Sequence, residues 1–528
     1  MSDFKEVHNA SHIEDREKNL FTPTSDVSQL DANAQHHLQR GIDSEVANFF
    51  AQEEGERIVI DEAENKRLRT MVHKRVLIVM VVTYFAQTLD KGTLNFASIM
   101  GIRKDTNLVG QQYSWLTTCL YIAVLVWEFP TNRLIQRLPI AKYLGANIII
   151  WGIILACHAT AKNFTVLVTL RTLLGLFETV CQPAFVYLST MWYTRAEQPL
   201  IIGSFYSMNG FQQCVGGLLA YGISQYTTGA IKNWQFLFTL LGCCTVVWGC
   251  FVLWWLPDSP MRATCWSERD RLLIAERVRQ NQTGIQNREF KWYQVREALR
   301  DTLIWGITLV SFTNALPTGG LGAFSNIILN EFGFTVLQTY LLAIAQGAII
   351  MILLFSAAFL SKRYSQRLLC AVAFTLPNIA GTIVFLTVKP NAHTKVGMLL
   401  AFYCTQGFGA VAVLNLAVMS GNIAGRTKQV VSNTLVFVAW AVGNAIGPQV
   451  FQDKEKPRYI GAFTAHIIMY AVQVTTLLLM RVLLMRRNAV RRAKALAEGK
   501  EADTGVDRAK NAFSDLTDFE NPDFRYVY

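Results

Sequence analysis

The chain has 528 residues, of which 52% are hydrophobic and only 16% are charged, and its mean hydropathy is +0.25. This composition argues against a soluble enzyme of the same length and indicates a membrane protein. The formal net charge of +11 does not by itself indicate nucleic-acid binding, because loop cations also set the orientation of a membrane protein.

The amino-terminal segment differs in charge from the rest of the chain. Residues 1–65 hold fifteen Asp or Glu residues against five Lys or Arg residues. The segment Met1–Leu20 is charged throughout and lacks the apolar core of a cleavable signal peptide. With few aromatic residues and no apolar periodicity, residues 1–70 are predicted to be an acidic, disordered cytosolic tail.

Twelve apolar runs follow, each long enough to cross a bilayer, which takes about 20 residues of helix. They begin near Val76, Tyr113, Leu144, Phe164, Leu200, Trp234, Leu303, Val336, Leu368, Val396, Val430 and Ala462. The sequence therefore predicts an all-α membrane protein with twelve transmembrane helices.

The runs form two sets of six, predicted as six-helix bundles at residues 71–257 and 302–485. Between them, residues 258–301 are predicted to be a cytosolic linker that contains a short amphipathic helix and a turn. Residues 486–528 are predicted to be a second cytosolic tail. This outline resembles the major facilitator fold.

Lys and Arg residues are concentrated in the loops on one side of the predicted bundle. That side includes the linker and the cations Arg133, Lys362, Arg426 and Arg486. Cytosolic loops of membrane proteins carry this excess of cations, so both termini are predicted to be cytosolic.

The chain shows no pattern that predicts a metal, a cofactor or an enzyme. Its ten cysteines are scattered, without a CxxC pair or a His partner at metal-ligand spacing. A nucleophile elbow and a phosphate-binding loop are also missing from the sequence.

The fourth run contains the strongest indication of function, a cation at Arg171 and an anion at Glu178. Charge at membrane depth costs about 2.5–3.5 kcal/mol on insertion scales, so it is usually found facing a protein interior or a watery pathway. Seven residues are two helical turns, which puts both side chains on one face, about 10.5 Å apart along the axis. One interpretation is a structural ion pair with another helix. The other is a transport site in which Arg171 binds a carboxylate and Glu178 binds a proton.

Asp90 and Lys91 add a second pair of charges in the first run. They are about 100° apart around a helix, and yet both can border one cavity. The alternative is that they mark the outer end of the helix and contact water. The apolar pattern continues past them to Met100, which argues against that alternative.

Amides supply the other polar groups within the runs. Asn415 and Asn444 in the second half, together with Gln182 and Gln346, are candidates for binding the uncharged part of a substrate. Amides also join helices to one another, and this alternative stays open for each of them.

Several stretches of the chain together resemble the fungal allantoate permease branch of the anion:cation symporters. The resemblance covers nearly everything from about Lys66 to the end. The stretches that carry it are Leu89–Leu94, Arg171–Ala184, Leu256–Pro260, Asn422–Lys428, Gly443–Gln449 and Asp515–Asn521.

The resemblance implies a proton-driven importer of small organic anions in the plasma membrane, expected to act as a monomer. In relatives, residues matching Asp90, Lys91, Arg171 and Glu178 form the coupling and substrate site. Many relatives have Arg where this chain has Lys91, and a lysine cannot bind a carboxylate in a bidentate manner. With no substrate bound, the acids are expected to pair with Arg171. An exporter of an acidic metabolite and a nutrient sensor that does not transport are the alternatives.

Overall fold

The computed structural model describes residues 60–194, 197–225, 231–279, 291–391, 393–497, 516–521 and 524–528. These residues are almost entirely helical, and no strand occurs among them. Most of the predicted acidic tail, residues 1–59, lies outside the described residues. So does the turn predicted at residues 281–284.

Ten helices precede the linker in the part of the chain that the structure describes. They are α1 (Glu62–Val72), α2 (Ile78–Ile99), α3 (Ile102–Asp105), α4 (Gln112–Ile135), α5 (Ile140–Cys157), α6 (Phe164–Glu178), α7 (Cys181–Trp192), α8 (Gln198–Tyr206), α9 (Met208–Ser224) and α10 (Asn233–Trp255). The pairs α6 with α7 and α8 with α9 each form one interrupted span.

Two helices belong to the linker and seven to the second half. The linker contains α11 (Glu268–Arg279) and α12 (Trp292–Arg300). The second half contains α13 (Thr302–Glu331), α14 (Val336–Tyr364), α15 (Arg367–Thr387), α16 (Lys395–Cys404), α17 (Phe408–Asn422), α18 (Arg426–Ile446) and α19 (Ile460–Ala497). A short 3₁₀ turn, Thr405–Gly407, joins α16 to α17.

Every predicted span corresponds to a helix or to an interrupted pair of helices. Nine helical segments in the described part of the chain are long and apolar enough to cross a membrane by themselves. The other three predicted spans are α4, the pair α8 and α9, and α13. All three contribute to the interface between the halves, and α13 is buried along most of its length. Helices at this interface expose less surface to lipid, so their sequences are less apolar than those of the other spans.

The first helix begins earlier than the sequence indicated. Residues 62–70 were predicted to be disordered tail, but α1 starts at Glu62 and continues through a π-helical turn, His73–Leu77, into α2. Leu68 and Val72 are fully buried. The segment is ordered because this apolar edge packs inward, and because Arg277 of α11 donates to Asn65 at 2.6 Å.

The two halves meet at one end of the bundle, called here the closed end. Asn95 of α2 donates to Ser325 of α13 at 2.6 Å, and Tyr113 of α4 donates to the carbonyl of Ala323 at 2.8 Å. An ion pair of 2.9 Å joins Arg103 to Asp453 across the same surface. The hydrogen bonds that join the halves within the described residues lie from the closed end to the middle of the bundle. The structure is therefore sealed at the closed end.

The opposite end, called here the tail end, carries the carboxyl-terminal segment. Val527 exchanges two hydrogen bonds of 2.7 Å with the side chain of Asn422. Tyr526 exchanges two more with Asn488, at 2.9 and 3.0 Å. The prediction of a tail over residues 486–528 therefore needs correction, because α19 continues to Ala497 and the last residues dock on the second half.

A buried cluster of charges, the Lys428 cluster, holds this segment in place. The ammonium of Lys428 lies 2.8 Å from Glu297, 3.0 Å from Asp301 and 2.6 Å from Asp518. Arg487 pairs with Asp301 at 2.7 Å. Burial favours the protonated form of Asp301, but the hydrogen bond from Arg487 and the charge of Lys428 outweigh it, so the pKa of Asp301 lies below its usual value.

Candidate substrate and proton site

The fourth span is interrupted immediately after Glu178. Helix α6 ends at Glu178, and α7 begins at Cys181. Pro183 lies in the first turn of α7, where it has no N–H to continue the hydrogen-bond ladder of α6. The carbonyl of Glu178 instead accepts from the Gln87 side chain on α2 at 3.2 Å. The break thus leaves the Glu178 carbonyl free to accept a hydrogen bond from the first span.

Glu178 forms its ion pair with Lys91. The Lys91 ammonium lies 2.9 Å from Oε1 of Glu178, and the side chain of Lys91 is 24% exposed while that of Glu178 is 1% exposed. Oε2 of Glu178 is buried and has no hydrogen-bond partner among the described residues. This carboxylate therefore has one cation beside it and one oxygen left free.

Asp90 is buried beside this pair, with neutral donors around it. Its Oδ2 accepts from Trp151 Nε1 on α5 at 2.8 Å and from the Thr245 hydroxyl on α10 at 3.3 Å. Only 1% of Asp90 is exposed. Asp90 is therefore not a helix end in contact with water, the alternative that the sequence had left open.

Arg171 forms no ion pair among the residues that the structure describes. The residue is 1% exposed, and its Nε and Nη2 atoms are buried without a hydrogen-bond partner among the described residues. Its guanidinium lies 5.7 Å from the ring centre of Phe238 on α10. Gly175, one turn further along α6, allows close packing, since a β-carbon there would lie 2.6 Å from the Leu120 carbonyl on α4.

The expectation that the acids pair with Arg171 was wrong. Glu178 pairs with Lys91, and the donors to Asp90 are Trp151 and Thr245. The physical reason is the position of Lys91 on α2, whose ammonium reaches the carboxylate at the end of α6, while Arg171 lies two turns away on the same helix. Two donor nitrogens of Arg171 are consequently available to a ligand.

Two of the other predicted substrate residues already use their side-chain donors in hydrogen bonds within the protein. Asn415 donates to the Ile307 carbonyl at 3.0 Å, and Asn444 donates within its own helix to the Trp440 carbonyl at 2.8 Å. The backbone of Asn444 also packs closely against Gly319 of α13, where a β-carbon would lie 2.7 Å from the Asn444 Cα. The donor of Asn415 joins α17 to α13, the alternative stated for such amides, whereas the donor of Asn444 stays within α18. Gln182 is half-buried in the first turn of α7.

Several residues of this site were not predicted from the sequence. Trp151 and Thr245 are ordinary members of apolar spans, and no local pattern distinguishes them. Gln87 does carry a signal, since it lies one helical turn before Lys91 on the same face. The contact between Lys91 and Glu178 joins two distant spans, and its formation depends on how those helices are rotated.

This combination of fold and buried charge defines a membrane transport protein. The family model described as Major Facilitator Superfamily matches residues 80–448. The chain belongs to the Major Facilitator Superfamily, so it is a transporter and not an enzyme.

Its relatives include transporters from two yeasts. A thiamine pathway transporter of Saccharomyces cerevisiae is 35% identical over 515 residues, which cover 96% of each chain. The allantoate permease of the same organism is 31% identical over 489 residues, covering 90% of this chain and 89% of the permease. An uncharacterized transporter of Schizosaccharomyces pombe is 33% identical and covers 89% of this chain and 90% of its own. The resemblance to the fungal allantoate permeases is thereby confirmed.

Solved structures confirm the fold. A bacterial homologue of the human lysosomal transporter Spinster has a TM-score of 0.57 at 14% identity, covering 78% of this chain and 95% of its own. A D-xylose–proton symporter has a TM-score of 0.58 at 12% identity, covering 77% and 97%. The fold is therefore the predicted all-α major facilitator fold.

Proposed function

We propose that this protein imports small organic anions together with protons by alternating access. The observation that carries the proposal is Arg171, a buried guanidinium with two unpartnered donor nitrogens. Guanidinium stays charged and matches the two oxygens of a carboxylate. A carboxylate bound there would satisfy a charge that nothing else in the described structure satisfies.

The proton enters the proposal through Glu178. Protonation would remove the charge that holds Lys91 at 2.9 Å and would release that ammonium toward the cavity. Arg171 and Lys91 would then both be available to an anion. A proton and a substrate that favour the same state bind cooperatively, and this cooperativity is the basis of coupled transport.

Asp90 has a separate role in this proposal. Its donors, Trp151 and Thr245, are neutral, so its protonation releases no cation. We assign it as a second proton-binding group that balances the charge of Arg171, with which it interacts electrostatically.

The state that the structure represents follows from the topology that we propose. The tail end carries most of the loop cations, which places it in the cytosol with both termini. Since the halves are joined at the closed end, the structure then corresponds to a cytosol-facing state, from which substrate is released. Rocking of the halves about the central site would expose the site to the outside.

The name of one relative supports an anion as the substrate. Allantoate is a small carboxylate, and a relative that is 31% identical is named as its permease. Nicotinate, pantothenate and biotin belong to the same chemical class and are further candidates. We expect the protein to act at the plasma membrane.

Uptake by cells that express the chain tests this function. Labelled allantoate, nicotinate, pantothenate and biotin are supplied at acidic external pH, with and without a proton uncoupler, and cells carrying an empty vector are the control. We expect at least one anion to accumulate in the cells, and the uncoupler to abolish its accumulation. Faster loss of a preloaded anion from the expressing cells would instead support export.

A further inference from the structure

Four glutamine side chains form a chain of hydrogen bonds across the middle of the molecule, called here the amide chain. Gln212 and Gln213 belong to α9, Gln346 to α14, and Gln406 to the 3₁₀ turn between α16 and α17. The successive donor–acceptor distances are 3.3, 3.2 and 3.0 Å. The amide chain therefore connects the first half of the transporter to the second.

The hydrogen bonds of the amide chain all run in one direction. Each carboxamide donates its NH₂ to the oxygen of the next, and Gln406 ends the series by donating to the Phe402 carbonyl at 3.0 Å and the Thr405 hydroxyl at 3.2 Å. At the other end, Oε1 of Gln212 is buried and accepts from no described residue. A buried acceptor without a donor is unfavourable, so this oxygen is suited to a donor on a ligand.

That free oxygen lies beside α2, the helix that carries Asp90 and Lys91. Oε1 of Gln212 is 3.0 Å from the position that a β-carbon would occupy on Gly92, which immediately follows Lys91. The absence of a side chain at Gly92 is what gives the oxygen its space. The amide chain thus begins against α2, at the residue that follows Lys91.

The contact between α9 and α14 holds the amide chain in register. A β-carbon on Gly347 would lie 2.4 Å from the carbonyl of Gly210, so the two helices touch through their backbones just beside Gln346. Gln213, Gln346 and Gln406 are 6%, 5% and 1% exposed. Because their amides are fixed in this way, they also fix the orientation of Gln212.

We propose that Gln212 is a specificity-determining residue of the transport site and that it accepts a hydrogen bond from a neutral N–H group of the transported anion. Gln213, Gln346 and Gln406 are positioning residues that hold its oxygen toward the ligand. The inference rests on the proposed anion site at Arg171. It narrows the substrate class to carboxylates that carry an amide or ureido N–H.

A matched pair of ligands tests this inference on the purified full-length protein. N-acetylglycine and acetoxyacetate share the carboxylate and the carbonyl, and they differ only in an N–H replaced by an ester oxygen. Binding is measured from the ligand-dependent shift of the melting temperature. We expect N-acetylglycine to bind about tenfold more tightly, the size of one well-formed hydrogen bond together with the unmet acceptor that it satisfies.

Two variants sharpen the comparison. Gln212→Met keeps the length of the side chain and removes the acceptor, so the affinity ratio of the two ligands should fall to about one. Gln346→Met interrupts the amide chain behind Gln212 and should lower the ratio in part. The same replacement at Gln136, which is exposed at the end of α4, is the control and should keep the wild-type ratio.

The outcomes separate this inference from the proposed function. Equal binding of the two ligands by the unmodified protein would overturn the role of Gln212 and leave the anion site intact, and this comparison needs no variant to fold. A wild-type ratio in Gln212→Met would overturn the role as well. If neither ligand binds, while the uptake assay also shows no anion transport, the anion site itself is contradicted.

Discussion

Two clusters of buried charge lie in this molecule, and they differ in how completely their charges are paired. In the Lys428 cluster, one ammonium contacts three carboxylates, and Arg487 pairs with one of them. In the central site, Glu178 has one cation, Asp90 has neutral donors, and two nitrogens of Arg171 have no partner among the described residues. Both clusters are buried, so burial alone does not distinguish structure from function.

The difference shows what each cluster can do. A buried charge with all its partners in place is held in a single arrangement, and removing one partner is costly. A buried charge that lacks partners gains them when a ligand binds. The Lys428 cluster therefore serves to dock the carboxyl-terminal segment, and the central site is suited to exchanging partners during transport.

The largest expected effect is on transport, at Arg171. Arg171→Met should reduce anion uptake by roughly 100-fold, because two charge-assisted hydrogen bonds of about 1.5–3 kcal/mol each are lost from the bound substrate. The melting temperature should not fall, since the replaced guanidinium forms no ion pair among the described residues and its Nε and Nη2 have no hydrogen-bond partner there. Uptake and thermal unfolding are measured on the same preparation, with the exposed Arg137→Met as the control. A large loss of stability would mean that Arg171 is a structural residue.

In the Lys428 cluster we expect a loss of stability without a loss of transport. Lys428→Met leaves Asp301 and Asp518 buried without their shared cation, which should cost about 3–5 kcal/mol of stability. Uptake per folded molecule should stay close to that of the unmodified protein. Denaturant unfolding measures the loss, and the exposed Lys494→Met is the matched control. Lower uptake at unchanged stability would show that this cluster takes part in transport.

A smaller effect is expected where the carboxyl-terminal segment contacts the cluster. The hydroxyl of Tyr526 donates to Asp518 at 2.7 Å, so Tyr526→Phe should lose about 1.5–3 kcal/mol, the value of a hydrogen bond to a charged group. The hydroxyl of Tyr528 forms no hydrogen bond among the described residues, so Tyr528→Phe is the control. Equal unfolding free energies for the two variants would contradict a docked segment.

Much of the fold could be predicted from the sequence, because the length of an apolar run can be counted within one stretch of the chain. The twelve runs all correspond to helices, and the charges at Arg171 and Glu178 were recognised from hydropathy and helical periodicity alone. The docking of the carboxyl terminus could not be predicted in this way. Asp518 is 90 residues from Lys428, and nothing local in either stretch indicates the other.

The details of the central site also depended on the structure. Periodicity places Arg171 and Glu178 on one face of a helix, but it does not show that Lys91 of another span lies close enough to pair with Glu178. The amide chain joins residues from three separate parts of the sequence, so only Gln346 among its four members was considered as a candidate. Which amides face one another is set by helix rotation and packing, which a sequence pattern does not specify.

The central claim is that Glu178 couples the proton to the anion, and Glu178→Gln tests it most directly. The reconstituted variant and the unmodified protein are compared in accumulation driven by a pH gradient and in counterflow of labelled anion against unlabelled anion. The neutral amide cannot exchange a proton, so we expect accumulation to be lost while counterflow continues. Accumulation that persists in Glu178→Gln, with counterflow also unchanged, would contradict the account.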